Sequence, residues 1–393
     1  CEVKLLKMKQ KTLLLLSVLI FLISCTAEAQ TKIIMGAEQP ELYSALLKNK
    51  NVALMVNPSS LVGKTHLVDT LLALGITVKK IFSPEHGFRG TADAGEKIKN
   101  DTDAKTGLPV ISLYGDNKKP TLEQLSDVDI VVFDLQDVGT RFFTYISSMH
   151  YLMQACADYG KKIIVLDRPN PNGYYIDGPV LDMHYKSFVG MHPIPIVHGL
   201  TVGELAKMIN GEKWLDSTKV CDLTVIPLKN YSHKMLYSLP VKPSPNLPND
   251  LAIQLYPSLC LFEGTVISVG RGTASPFQLF GAPKKEYGSF QFTPQSTPGA
   301  KKPMYENQVC YGVDLRQQHS TKGLQMTFLL DMYQKSPEKD KFFNNFFNKL
   351  AGNATLQEQV KKGMKEEEIR KSWKPELIKY KTMRKKYLLY EDF

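Results

Sequence analysis

The chain has 393 residues, 43% of them hydrophobic and 22% charged, with a formal charge of +10. Such a composition belongs to a soluble globular protein, with length for one large domain or two ordinary ones. The basic surplus favours anionic partners, but no dense Lys/Arg block with interleaved aromatics is present, which argues against nucleic acid.

The first element in chain order is a leader. MKQKTLLLLSVLIFLISCTAEAQ, read from Met8, has lysines, an apolar run and then small residues, the pattern of a secretion signal. Leu13 to Ile23 is too short for a mature membrane span, which needs roughly 20 residues. Two cleavage sites compete. LISC (22–25) resembles a lipobox that would leave Cys25 lipidated and the protein membrane-anchored, and AEA (27–29) suits an ordinary signal peptidase. Either way, the expected location is periplasmic or outer-membrane-anchored, with residues 1–29 as signal.

Between residues 50 and 170, short apolar runs alternate with helical spacing. Strands are expected at 51–57, 77–83, 109–115, 129–137 and 161–170, and helices at 66–75, 121–128 and 145–160. Strands separated by helices imply parallel βαβ units. The second half is less regular. A helix is expected at 201–210, with Thr201 as N-cap and Glu204 closing a capping box. A strand follows at 221–228, a proline-rich loop at 243–250, and helical stretches at 321–336, 340–353 and from 355 on. The fold class is therefore α/β: a doubly wound parallel-sheet domain over 30–195 and a mixed second domain over 196–393.

The six cysteines include no CxxC pair, so a zinc ribbon or thioredoxin-type site is excluded. Cys156 and Cys260 lie in apolar patterns, as buried free thiols do. VGKT (62–65) lacks the first glycine of a P-loop, GRGTAS (270–275) lacks the third glycine of a dinucleotide loop, and neither GxSxG nor HExxH occurs. The eight histidines show no metal-ligand spacing. Neither a metal nor a cofactor is expected.

Ligands of open parallel sheets bind beyond the carboxyl ends of the strands. Three expected strands run straight into polar clusters: IFSPEHGFRG with Glu85 and His86, VVFDLQDVGTRF with Asp134, Gln136 and Arg141, and IVLDRPNPNG with Asp167 and Asn170. A parallel sheet puts all three on one rim. The competing reading is that such groups cap helices and tie loops. Carboxylates, amides and arginines in a cleft, without a cofactor signature, suit glycoside hydrolysis. That reaction needs a proton donor and a second group to stabilise an oxocarbenium-like state. Glu85, between Pro84 and Gly87, is the first candidate donor, and Glu263 in LFEGT the candidate second carboxylate.

The ordered motifs SPEHGFRG, FDLQDVGTRFFTYI, VLDRPNPNG, FVGMHPIPIVHGLTVGELA, PSPNLP and YPSLCLFEGTVISVGRGTASPFQLFGAP together resemble the exo-β-N-acetylmuramidase family, over roughly residues 35–390. The resemblance implies release of β-1,4-linked N-acetylmuramic acid from the non-reducing end of peptidoglycan fragments. It also implies a Rossmann-like domain and a smaller α/β domain with the site in the cleft between them. Lys284 in GAPKKEY departs from the family pattern, where an aromatic is usual. On this basis Glu85 is the expected general acid, with His86 orienting it. Asp134, Gln136, Asn170, His198 and Asn246 are expected substrate contacts. Arg271 and Arg141 are the candidates for the lactyl carboxylate, since arginine binds carboxylates bidentately; an ion pair with Asp134 or Asp137 is their ordinary alternative. A non-catalytic sugar-binding lipoprotein and a Ser83-dependent esterase are the rival functions.

Overall fold

The computed structural model describes residues 32–85, 87–89, 100–216, 219–318 and 323–393. The expected leader, Cys25 and His86 lie outside the described residues. From Ile34 to Phe393 the chain forms one compact unit.

Six strands make its central parallel sheet: β1 (Asn51–Val56), β2 (Thr77–Ser83), β3 (Pro109–Ser112), β4 (Ile130–Asp134), β5 (Lys162–Leu166) and β6 (Asp222–Ile226). Their spatial order is 3-2-1-4-5-6, and a short antiparallel segment, Asp101–Thr102, closes the β3 edge. The chain thus winds outward from β1 to β3, returns to β4 and winds the other way. The reversal between β1 and β4 is the switch point at which such sheets open a crevice. Strand β6, beyond the domain boundary expected near residue 195, belongs to this same sheet.

Both faces of the sheet are covered, and the strands read accordingly as continuous apolar runs. In β1, Val52, Leu54 and Val56 pack into one core while Ala53 and Met55 pack into the other; β4 and β5 divide their side chains the same way. This is the period-two alternation of a strand buried on both sides. The helices over these faces are α1 (Pro40–Leu47), α2 (Leu67–Ala73), α3 (Leu122–Leu125), α4 (Tyr145–Tyr159) and α5 (Val202–Gly211). Thr201 caps α5, with Glu204 closing the capping box as the spacing predicts. Helix α1, with Pro40 in its first turn, has no counterpart in the sequence reading.

The C-terminal part adds α6 (Asp250–Leu259), a three-stranded antiparallel sheet of β7 (Leu279–Ala282), β8 (Phe290–Phe292) and β9 (Cys310–Asp314), and helices α7 (Met326–Lys335), α8 (Phe347–Ala351), α9 (Thr355–Lys361) and α10 (Glu366–Arg384). Helix α6 was not expected, and it contains Pro257. A proline inside a helix removes the bond to the carbonyl four residues back; here the freed Ile253 carbonyl accepts a hydrogen bond from Asn172 Nδ2 at 3.2 Å. Only Phe347–Ala351 is α-helical in the stretch expected over 340–353. Asn344 Oδ1 accepts the Phe346 amide at 2.8 Å, turning the chain before it. Phe347 then packs so closely on Gly264 that a Cβ there would lie 2.4 Å from the Phe347 Cα.

Cys156, Cys221, Cys260 and Cys310 are all free and buried. Among the described residues no helix is long and apolar enough to cross a membrane, and no cluster suited to a metal ion occurs.

Candidate active site

Glu85 follows β2 directly, and its side chain lines a hollow beyond the carboxyl ends of the strands. The hollow is an open one, with a cavity volume of about 60 Å³. Three further segments build it. Phe142, Phe143, Thr144 and Tyr145 lead into α4; Ser244, Asn246 and Leu247 come from the PSPNLP loop; Tyr256, Arg271 and Phe277 come from beyond residue 250.

Among the described residues, two hydroxyls bond the Glu85 carboxyl. Tyr114 donates to Oε1 at 2.9 Å and Thr144 donates to Oε2 at 2.9 Å. Thr144 stands at the N-cap of α4 yet makes no capping bond with its side chain, because its hydroxyl serves Glu85. Tyr145 adds a weaker bond to the Glu85 carbonyl at 3.4 Å and accepts from Asn57 Nδ2 at 2.9 Å. Burial, reinforced by the Glu85 charge, pushes the Tyr145 phenol far above its ordinary range, so it remains a neutral donor.

Arg271 faces Glu85's hollow from the C-terminal part. Its Nε donates to Glu263 Oε1 at 2.6 Å, and its guanidinium carbon lies 5.0 Å from the centroid of Phe277. Nη1 is buried without a hydrogen-bond partner among the described residues. Burial works against the guanidinium charge, but the Glu263 carboxylate outweighs it and holds the pKa above the usual arginine value. Phe277 sits at φ +57°, a left-handed conformation that is costly for a bulky residue; the strain presents its ring to Arg271. Glu263 does not line the hollow. It stands behind Arg271, also taking a long contact from the Cys260 thiol at 3.6 Å.

Glu85, Asn246 and Arg271 are thus the expected site residues that meet here. Asn246 also ties its loop by donating to the Gly299 carbonyl at 2.8 Å. Five others are engaged elsewhere, as caps and ties. Asp134 forms a buried bidentate pair with Arg168, at 2.5 and 2.8 Å. Gln136 donates to the carbonyls of Asp137 and Pro169. Arg141 is fully buried and donates to four carbonyls, those of Pro179, Ile194, Leu350 and Ala351, at 2.8–2.9 Å; it pairs with neither Asp134 nor Asp137. Burial lowers its pKa to about 9. Asn170 bonds the Leu200 carbonyl and the Asn172 amide, and it packs where only a glycine at 139, itself at φ +77°, leaves room. His198 accepts the Leu200 amide on Nδ1, with Nε2 3.7 Å from Asp137.

Asp167, from the third strand-end cluster, is likewise a tie. It accepts from the Arg168 and Gly203 amides and from the hydroxyls of Thr201 and Tyr390. Burial, with help from Glu204, raises its pKa to about 6 against the pull of those bonds. The unfolded carboxyl ionises near pH ~4. Between these values the folded state holds the extra proton, so this group makes stability fall as pH rises from about 4 to about 6. Tyr390 donates to the ionised form, and bonds to charged groups exceed neutral ones by about 1 kcal/mol. Tyr390→Phe is therefore expected to cost more at pH 8 than at pH 5, read from urea midpoints. Equal losses at the two values would count against the charged bond.

The residues that sequence reasoning missed are Tyr114, Thr144, Tyr145 and Phe277. The run TRFFTY, aromatic and hydroxyl side chains directly before a helix, was the available signal for two of them. Tyr114 stands just past the end of β3, where the strand-end rule was the signal; Phe277, 192 residues beyond Glu85, carries none.

Comparison with known proteins agrees with this geometry. Residues 52–251 match the N-terminal family model of exo-β-N-acetylmuramidase NamZ, and residues 254–390 match the C-terminal one. The hollow draws residues from both. A peptidoglycan β-N-acetylmuramidase of Bacillus subtilis (strain 168) is 40% identical over 375 residues, covering 88% of this chain and 89% of that protein. Two crystal structures of DUF1343 family proteins from Bacteroides fragilis NCTC 9343 share the fold. One is 49% identical at a TM-score of 0.87, over 92% of this chain and all of that one; the other is 30% identical at 0.79, over 91% and 99%. With both halves matched in order and the Glu85 hollow assembled from the two, the chain belongs to the exo-β-N-acetylmuramidase family.

Proposed function

We propose that the hollow receives the terminal N-acetylmuramic acid of a peptidoglycan fragment, and that Glu85 protonates the oxygen of its β-1,4 link. The chain is a glycoside hydrolase by family, so the question is which groups do the work. The observation that carries the assignment is the seating of the Glu85 carboxyl between the hydroxyls of Tyr114 and Thr144. A general acid must pass between protonated and ionised forms. Hydroxyls both donate and accept, so they can turn to suit either form.

Glu85 is the single carboxylate among the described residues lining the hollow. A second stabilising group is still needed for the oxocarbenium-like state, and the acetamido oxygen of the substrate supplies one without a further carboxylate there. Glu263, bound to Arg271 Nε, orients that arginine. Nη1 is left for the lactyl carboxylate that distinguishes muramic acid from glucosamine. Export by the leader, with anchoring through Cys25 or cleavage after Ala29, would place the enzyme where such fragments arise.

The test of substrate choice is Arg271→Ala. It is expected to lower kcat/KM on muramyl substrates by about 10²-fold, the scale of a lost charged hydrogen bond. The matched glucosaminyl substrate should be much less affected. Equal loss on both would remove the lactyl role.

A further inference from the structure

We infer that the aromatic face formed by Tyr114, Phe188 and Tyr151 is the platform for the leaving saccharide, the sugar ring across the scissile bond from the terminal muramic acid. The inference rests on the muramidase reading above and adds a second, outer subsite to it.

The carboxyl of Glu85 joins two environments. Its Oε2 partner, Thr144, lines the hollow, whereas its Oε1 partner, Tyr114, does not. A general acid protonates the bridging oxygen, so it stands at the boundary between the sugar that is held and the sugar that leaves. If the terminal sugar fills the hollow on the Thr144 side, the leaving saccharide lies on the Tyr114 side.

What lies there is a run of half-buried rings. The Tyr114 ring is 6.2 Å from Phe188, and Phe188 stacks on Tyr151 at 6.3 Å with only 18° between the planes. None of the three is fully buried. The face of an aromatic ring carries partial negative charge, which attracts the polarised C–H groups on the flat side of a pyranose. Lys118 already exploits that face, with Nζ 5.4 Å from the Phe188 centroid.

The platform is also supported as a ligand surface should be. Phe188 projects from a tight turn closed by two backbone bonds between Ser187 and Gly190. Both ends of the segment carrying that turn, Pro179 and Ile194, are bound through their carbonyls by one guanidinium nitrogen of buried Arg141. An arginine expected to touch substrate thus positions a loop that does so.

The test uses the intact enzyme with two substrates, a disaccharide of N-acetylmuramic acid β-1,4-linked to N-acetylglucosamine and the β-fluoride of N-acetylmuramic acid. Fluoride needs no proton donor and leaves the platform empty. Phe188→Ala is expected to lower kcat/KM on the disaccharide about tenfold, mostly through KM, as for an aromatic anchor lost from a binding surface. Phe188→Leu keeps the apolar packing without the flat face and should behave alike. Turnover of the fluoride should stay within about twofold in both. Unchanged disaccharide kinetics, or equal loss on both substrates, would overturn the platform. A wild-type chain that cleaves neither compound would instead overturn the muramidase reading, and the platform with it.

Discussion

Glu85→Gln should abolish most turnover while leaving the fold intact: kcat is expected to fall by about 10²–10⁴-fold, the usual contribution of a positioned acid–base group. Glutamine has the same shape, and among the described residues the hydroxyls of Tyr114 and Thr144 bond the residue 85 carboxyl. One can still donate to the amide oxygen while the other turns to accept from the amide nitrogen. Stability should change by less than about 1 kcal/mol, because neither hydroxyl loses its partner. The loss should also depend on the leaving group. A saccharide leaves poorly without a proton and should show the full effect; β-muramyl fluoride should retain most of its rate. Wild-type turnover of the disaccharide by the variant would end the assignment of Glu85. A uniform loss on both substrates would make the residue structural.

Arg141→Met is expected to be the most destabilising single change described for this chain, by on the order of 4 kcal/mol in urea unfolding. The side chain is sealed in the interior and satisfies four carbonyls from three segments: Pro179, Ile194 and the Leu350–Ala351 pair at the end of α8. Methionine fills similar space but donates nothing, so the carbonyls of Pro179, Leu350 and Ala351 lose this donor and that of Ile194 keeps only the Leu181 amide. Lysine is no remedy, since one ammonium cannot reproduce the spread of a planar guanidinium. Burial pulls the Arg141 pKa down to about 9. The four carbonyls need all four N–H donors, so they hold the guanidinium in its charged form against that burial, and stability from this group is expected to be flat from about pH 5 to about pH 9. A Met variant with wild-type stability would contradict the bonding seen here.

How much of this was legible in the chain varies with the range of the interactions. The first five strands of the central sheet were, whereas the sixth, expected as a strand, was assigned to the second domain. Strand β2 falls at 77–83, as the apolar run indicates, and the other five parallel strands lie inside their expected ranges. A strand buried on both faces needs a continuous apolar run, and a glycine-closed amphipathic helix such as α4 between two of them leaves little choice but a parallel crossover. The capping box at Thr201 is local too, completed within one turn. Helix α6 was not legible. Pro257 argues against it locally, and the Asn172 amide that satisfies the freed carbonyl comes from 81 residues away.

The amino-acid sequence by itself determined which residues stand on the functional rim. Strand ends follow from apolar periodicity, and in a parallel sheet all carboxyl ends share one edge. The ordered motifs that mark the family lie largely along that edge. Only the tertiary structure decided which rim residues face ligand and which hold the protein together. Glu85 and Arg141 look equally functional in the chain. One meets two hydroxyls at the wall of a hollow, and the other meets four carbonyls in the interior. The physical reason is that a polar side chain's role is set by the partners that burial forces on it. Those partners come from segments up to 210 residues distant, whose approach no local pattern encodes.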